Sequence, residues 1–466
     1  MLQRLVVPPS YMTLVGILTI YLSTIATVES RDRNDELARK RYLGIEIRRA
    51  IPEKRDKLKS KEQEGVIVDC VDANFLKENA GFVLGDILTD VNETIIASPS
   101  HFIETVSSYR PGETVTISFL RNGKKSKTKV LLKSRPLEAS DAYQVIYGTV
   151  VSRGKRLRTI VTRPKDNEKH PAIFLIQGLG AFSIERVPYR VGLYDRIIDD
   201  FARRGYVTIR VDKPGQGDSE GGPTRDIDFE TELDGYRQAL KFLKSFEFVN
   251  ADDIIIFGHS MGGIMAPIIG AEIKVRGIAV YGTVGRTWHE YTLENVRRQM
   301  SFDVPDFNEI DRTLRQDAAI DLYITAGLSP TEISAQHPEL KKEVDEWYTE
   351  GMYHGDTNYK YFRQLAGKNF AQAWTEFSGH SLAAWGKSDF ISEEVDHALI
   401  ARIINRVHPG YGVFVTVEGI DHKFNRASSQ KESFENFQKP DHEYNPIFLV
   451  VLREWASKVC GGGGLN

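Results

Sequence analysis

The chain has 466 residues, 41% hydrophobic and 27% charged, with a formal net charge of −3. That length exceeds what one hydrophobic core usually serves, so two domains are expected. The near-neutral balance excludes nucleic acid as the main partner, and two cysteines, Cys70 and Cys460, exclude a disulfide framework.

Residues 1–30, MLQRLVVPPSYMTLVGILTIYLSTIATVES, carry one Arg near the start and then a mostly apolar run from Tyr11 to Val28. Ala26 and Ser30 offer cleavage points. A signal peptide is expected, and with it a mature protein exported to the periplasm or the exterior. An uncleaved anchor is the alternative, since the run approaches the roughly 20 residues that span a bilayer. Residues 31 to 63 are crowded with charge and read as a solvated helix or loop.

Short alternating segments follow at 42–48, 65–71, 85–92, 114–123 and 127–133, each read as a strand. Cys70 falls in the second of these and reads as a small core residue. Residues 98–113, SPSHFIETVSSYRPGE, hold a helical face of Phe102, Val106 and Tyr109, stopped by Pro111-Gly112. The result is a small sheet-rich domain. YLGI, ENAGFVLGDILTDVNETII and PGETVTISFLRNGK together resemble a PDZ domain of the bacterial secreted type, over roughly residues 38–135. The resemblance implies a groove in which an extended peptide adds as an extra strand. Backbone N–H groups around Leu43, Gly44 and Ile45 would hold its terminal carboxylate. The alternative is an empty groove in a domain that only packs against its neighbour. His101, near the helix start, is either a ligand contact or an exposed polar residue.

A polar link at 134–143 leads into a longer unit. YQVIYGTVV and KRLRTIVTRP alternate as a hairpin. PAIFLIQGLG (171–180) is a continuous apolar run ending in glycines, the mark of a strand buried on both faces. Helical and strand patterns then alternate: YDRIIDDFARRGY, VTIRVD, ETELDGYRQALKFLKSF, DIIIFG, GGIMAPIIGAEI and VRGIAVYG. This order predicts an α/β unit, a mostly parallel sheet with helices on both faces. The last residues, 460–466, read as a flexible tail.

FGHSMGG, residues 257–263, places one serine between glycines where a strand turns into a helix. Gly258 and Gly262 let the backbone close tightly, and Ser260 is lifted clear of the sheet edge at the positive end of a helix. That is the spacing of a nucleophile elbow, Gly-x-Ser-x-Gly. A serine hydroxyl needs a base within hydrogen-bond reach. Of eleven histidines, His422 alone sits in a turn after the last apolar strand, in YGVFVTVEGIDHKF (411–424). The acid is expected before it, after the strand in SLAAWGKSDFIS (381–392), where Asp389 stands. Asp396, Glu393 and Asp421 compete with it. An oxyanion forming on attack needs two backbone donors. Met261 and, in the QGLG loop, Leu179 are the candidates; a plain turn is the alternative for Gly178 and Gly180.

Residues 142–459 resemble the α/β-hydrolase superfamily, with VDKPGQGDSEGG (211–222) resembling its Gly-x-Gly-x-Ser loop. The resemblance implies a Ser260–Asp389–His422 triad with Met261 and Leu179 as oxyanion donors. Gln177-Gly178 stands where many members have His-Gly, which leaves the second donor open. It also implies a helical cap over the site at 285–378. That stretch shows no strand pattern and holds Trp288, Trp347 and Trp374, with Tyr291, Phe302, Tyr348, Tyr359, Phe362 and Phe370. These aromatics either bind an acyl or aromatic group or hold the cap together.

The sequence therefore reads as an exported serine hydrolase that cleaves carboxylic esters or related acyl bonds through an acyl-enzyme. Its substrate is a small ester or acyl compound, with a peptide C-terminus at the PDZ-like groove as a further partner. It needs no cofactor or metal. A serine peptidase that uses the PDZ module to hold peptide is the first alternative. A non-catalytic binding protein on a hydrolase fold is the second.

Overall fold

The computed structural model describes residues 37–49, 65–72, 81–180, 182–186, 191–349, 351–353, 357–437, 439 and 442–461. The expected leader, most of the charged stretch and nearly all of the glycine tail lie outside the described residues.

The N-terminal strands are β1 (Arg41–Tyr42), β2 (Ile45–Arg49), β3 (Val66–Val71), β4 (Ile87–Val91), β5 (Thr94–Ile95), β6 (Thr114–Arg121), β7 (Lys124–Leu131) and β8 (Lys133–Ser134). An antiparallel sheet runs in the order β2-β3-β4-β6-β7, with β5 paired to β4. One face packs Val66, Val68, Leu88, Val91, Val115, Ile117 and Val130 against Phe102 and Val106 of the helix Pro99–Ser107. The opposite face carries a smaller buried cluster of Ile67, Ile87 and Leu120. Cys70 corrects the sequence reading. It lies on β3 but is half-buried, and Val71 packs on the core instead. The register against β2 slips between Val68 and Cys70, so a bulge inverts the alternation there.

β1 pairs with β8 and closes the ends of this unit on each other. Charged groups tie that closure to the following chain. Arg39 binds Glu185 at 2.8 Å and Asp218 at 2.5 Å, Arg135 reaches Glu185 at 3.1 Å, and Arg158 meets Asp218 at 3.3 Å. Both carboxylates are buried, so the pairing is geometrically specific. From Leu37 onward the chain forms one compact unit.

The second sheet contains β9 (Gln144–Ser152), β10 (Lys155–Arg163), β11 (His170–Ile176), β12 (Val207–Val211), β13 (Val249–His259) and β14 (Gly277–Tyr281). Three short strands, β15 (Tyr348–Thr349), β16 (Met352–Tyr353) and β17 (Thr357–Asn358), form a small antiparallel sheet of their own. β18 (His380–Gly386) and β19 (Gly412–Val417) return to the large sheet. Its order is β19-β18-β14-β13-β11-β12-β10-β9, parallel except where β10 meets β9 and β12.

Successive side chains on a strand face opposite ways, and here both faces are covered. Ala172, Phe174, Ile176, Ile254, Ile256, Ile278 and Val280 pack under the helices Phe229–Lys244, Met261–Glu272 and Glu394–Val407. Ile173, Leu175, Ile255, Phe257, Ala279 and Tyr281 pack under Asp195–Arg203 and the C-terminal helix Ile447–Val459. This is the α/β-hydrolase architecture: a mostly parallel sheet between two helical layers.

Between β14 and β18 lies the cap, with helices Trp288–Asp303, Phe307–Ala326, Pro330–Gln336, Lys341–Trp347, Tyr359–Ala366 and Phe370–Glu376. The three-stranded sheet β15–β17 departs from the strand-free expectation. Pairings two residues long leave no alternation for a sequence to display. Among the described residues, no helix is long and apolar enough to cross a membrane.

Candidate active site

Parallel strands bring their carboxyl ends to one edge of the sheet, and β11, β13, β14, β18 and β19 end there together. Ser260 follows β13 directly, at φ +54 and ψ −121, and heads the helix Met261–Glu272. It is half-buried. Its N–H donates to the Tyr281 carbonyl at 2.9 Å, and its carbonyl accepts from the Thr283 hydroxyl at 2.9 Å. A Cβ at Gly258 would lie 2.5 Å from the Gly262 carbonyl oxygen, and one at Gly262 only 2.1 Å from that of Ile176. Backbone packed against backbone is what permits the strained serine.

Asp389 stands three residues beyond β18, fully buried. Its Oδ1 accepts from the N–H groups of Ile391 at 2.8 Å and Ser392 at 3.1 Å. Its Oδ2 accepts from the Ser392 hydroxyl at 2.6 Å and from His422 Nδ1 at 2.8 Å. Burial pushes this carboxyl upward, but the His422 charge and the hydrogen bonds from His422, Ser392 and Ile391 outweigh it and hold it down at about 2.

The competing carboxylates are engaged elsewhere. Asp396 binds the Arg286 guanidinium and the N–H groups of Gly285 and Arg286, Glu393 pairs with Arg298, and Asp421 accepts from Lys423 and Asn425 N–H within its own turn. Among the other histidines, His397 is buried between Glu393 and Thr283, and His289 pairs with Asp321 in the cap. His354 lies outside the described residues.

His422 is joined to the elbow through His259. The His259 Nε2 donates to the His422 carbonyl at 2.9 Å, and the two rings stand 4.8 Å apart. Among the described residues no hydrogen bond joins the Ser260 hydroxyl to the His422 ring. Such bonds are often long in a resting site and tighten when substrate binds.

The QGLG loop hangs over the serine. A Cβ at Gly178 would sit 3.0 Å from Ser260 Cβ. Gly178 N–H donates to Tyr194 Oη at 2.9 Å, and Tyr194 Oη donates to His259 Nδ1 at 2.8 Å. The tautomer follows from the partners: Nε2 faces a carbonyl and must carry the proton, so Nδ1 accepts. Burial, then the neighbouring His422, pushes His259 down to about 3, which keeps it neutral. One relay thus connects the QGLG loop, the elbow and the His422 turn. Leu179 follows Gly178 with its side chain exposed, and Met261 opens the helix after Ser260. The Gln177 side chain is buried, and neither end of its amide meets a hydrogen-bond partner among the described residues.

Leu43 and Gly44 are buried and Ile45 half-buried at the start of β2, an edge strand of the N-terminal sheet. Gly44, at φ +66, accepts from Asp72 N–H at 2.7 Å. His101 bonds locally, to Ala97 N–H. In the cap, Trp288 stacks on Phe362 at 5.6 Å, Tyr353 meets Phe362 at 4.7 Å and Trp347 at 5.6 Å, and Trp374 packs on Phe377. Trp288, Phe362, Tyr353 and Trp347 thus hold one another, while Phe302 packs on Phe434 at 5.3 Å, outside the cap. Among the described residues no group of three His, Cys, Asp or Glu side chains is arranged to bind a metal.

Tyr194, Ser392 and Lys213, which donates to the Gly178 carbonyl at 2.7 Å, are site residues that motif reading passed over. Each is an ordinary residue in its own segment, and only Ser392, three positions after Asp389, carries a local signal.

Two results are expected here. Tyr194→Phe strands a buried N–H and a buried ring nitrogen, and should lower stability by about 1–3 kcal/mol, read by denaturant unfolding. The Asp389 carboxyl is depressed on folding, so its contribution is fully present above the unfolded value of about 4 and lost as the pH falls through about 2. The stability gap between the wild-type chain and Asp389→Asn should therefore shrink as unfolding is measured from pH 5 downward.

The sheet, its two helical layers and the elbow at its carboxyl edge define an α/β hydrolase. Residues 185–426 match the family described as serine aminopeptidase, S33, and the chain belongs to that family. Residues 42–132 match the PDZ domain. The chain is similar to polyketide transferase ATR5 of Stachybotrys chlorohalonatus, 26% identical over 30% of this chain and 44% of that one. It is also similar to the quorum-quenching protein AidA of Acinetobacter baumannii, 27% identical over 22% of this chain and 31% of that one. It thus spans less than half the length of either curated relative. Among solved structures, a thermophilic esterase from Thermogutta terrifontis aligns with 16% identity and a TM-score of 0.39, covering 68% of this chain and 99% of that one.

Proposed function

We propose that this hydrolase cleaves carboxylic esters or related acyl bonds with Ser260 as nucleophile, His422 as base and Asp389 as its orienting acid. The observation that carries the reading is the 2.8 Å bond from His422 Nδ1 to the buried Asp389, beside a serine held at φ +54. With its Nδ1 proton committed to Asp389, the ring offers Nε2 as the free base. Nε2 takes the Ser260 proton as Oγ attacks the carbonyl carbon, and the oxyanion accepts from Met261 and Leu179 N–H. The imidazolium then protonates the departing alcohol, leaving an acyl-enzyme. Water, deprotonated by the same nitrogen, releases the acid and restores the serine.

Amide cleavage is the second reading, favoured by the S33 family match and by the PDZ match at 42–132. In it, Leu43, Gly44 and Ile45 hold a peptide carboxylate at the β2 edge. Export through the leader at 1–30 belongs to both readings, as do a PDZ-like domain at 38–135 and a hydrolase domain at 142–459 with its cap at 285–378. Release of p-nitrophenol from p-nitrophenyl butyrate, compared with p-nitroaniline from aminoacyl anilides, separates them. The ester reading expects butyrate turnover that vanishes in Ser260→Ala. Faster anilide cleavage makes the chain a peptidase, and no turnover of either leaves a binding protein.

A further inference from the structure

Lys213 lies on the loop after β12, with its side chain only 5% exposed. Its ammonium stands 2.9 Å from Glu232 Oε1 on the helix Phe229–Lys244, and donates to the Gly178 carbonyl at 2.7 Å. Glu232 is buried to the same degree. A buried ion pair is weak evidence for stability, because apolar packing often replaces one without loss. The contact with Gly178 gives it a different reason to exist.

The carbonyl that Lys213 grips belongs to the same peptide group as the Leu179 N–H. That group is planar and trans, so its C=O and N–H point in opposite directions. Fixing the carbonyl on the Lys213 side sends the Leu179 N–H to the other side. Left alone, this loop is free to rotate. Gly178 has no Cβ to restrict it, and Gly180 sits at φ +136, where glycine is at home. Two clamps remove that freedom: Tyr194 on the N–H of Gly178 and Lys213 on its carbonyl. The second is charge-assisted, hence the stronger, and it polarises the amide that carries the Leu179 N–H.

We propose that Lys213 is a positioning residue for the oxyanion, holding the Gly178–Leu179 peptide so that the Leu179 N–H is aimed at the tetrahedral intermediate. This rests on the serine-hydrolase reading of Ser260. Lys213 touches neither substrate nor nucleophile and acts through the peptide alone.

The test uses the full chain and p-nitrophenyl butyrate, with a trifluoromethyl ketone as tetrahedral probe. Lys213→Met strands Glu232, so Lys213→Met/Glu232→Gln removes the pair together. Its kcat should fall about a hundredfold, the loss typical of one oxyanion donor, with KM within about twofold. Affinity for the ketone should fall by a similar factor, and Lys213→Arg, which keeps a charged donor, should retain more turnover than Lys213→Met. Thermal unfolding of each variant distinguishes lost folding from lost turnover. Lys213→Gln/Glu232→Gln keeps polar groups at both positions and should still lose at least about tenfold in kcat, a partial form of the same donor loss. Wild-type kcat and ketone affinity in the folded double variants would overturn the positioning role while leaving Ser260 in place. A wild-type chain that neither turns over the ester nor binds the ketone would overturn both readings at once.

Discussion

Asp389→Asn is expected to lower kcat on an ester about ten-thousandfold while the chain remains folded. The reason lies in who donates to whom around the carboxylate. The N–H groups of Ile391 and Ser392 both donate to Oδ1, so the amide oxygen of an asparagine would take that position. Its NH2 would then face His422 Nδ1, where Oδ2 now accepts. Two donors cannot share that contact. The ring would move its proton to Nε2, which then donates toward Ser260 and can no longer take a proton from it. The Ser392 hydroxyl, now donating to Oδ2, can turn to accept, so folding survives. Steady-state turnover beside circular dichroism checks both halves. Activity within tenfold of wild type would mean that Asp389 does not set the tautomer.

Gly262→Ala is expected to destabilise the chain at or beyond the upper end of the roughly 1–3 kcal/mol typical of overpacking, and to abolish turnover. The added methyl would stand 2.1 Å from the Ile176 carbonyl oxygen and 2.9 Å from that of Gln177. Both are backbone atoms, the first at the end of β11 and the second at the start of the QGLG loop. Room for the methyl comes only by pushing β11 and the elbow apart, which moves Gly178 away from Ser260. Gly367→Ala is the control: its methyl meets nothing closer than 3.5 Å and its φ is −76, so a change within about 0.5 kcal/mol is expected. Denaturant midpoints of the two variants settle the comparison. A Gly262→Ala chain as stable and active as the control would show that the close approach is not required.

The α/β layers were legible in the sequence because strands buried on both faces write continuous apolar runs, as in PAIFLIQGLG, and amphipathic helices separate them. The elbow was legible for a stricter reason. Gly258 and Gly262 face backbone atoms that no side chain can displace, so the spacing itself carries the geometry. Strand order pointed to Asp389 and His422, whose side chains meet at 2.8 Å, since parallel strands bring their carboxyl ends to one edge.

What escaped reading depends on contacts between distant segments. Tyr194 and His259 are 65 positions apart, and Lys213 and Gly178 are 35 apart. Neither pair has a spacing rule, because a loop of any length can close such a contact. The Arg39 junction to Glu185 and Asp218 is hidden likewise, inside a stretch that reads only as charge. Cys70 misled because one slip of register on β3 inverts the faces of everything after it.

The hydroxyl of residue 260 is proposed to be a nucleophile in the folded chain. Reaction with a fluorophosphonate, followed by digestion and peptide mass spectrometry, addresses it without any assumption about substrate. A single phosphonylated site is expected, on Ser260, absent in Ser260→Ala and formed far more slowly in His422→Ala. An unmodified Ser260 in the folded wild-type chain, or labelling that persists elsewhere when Ser260 is replaced, would contradict it.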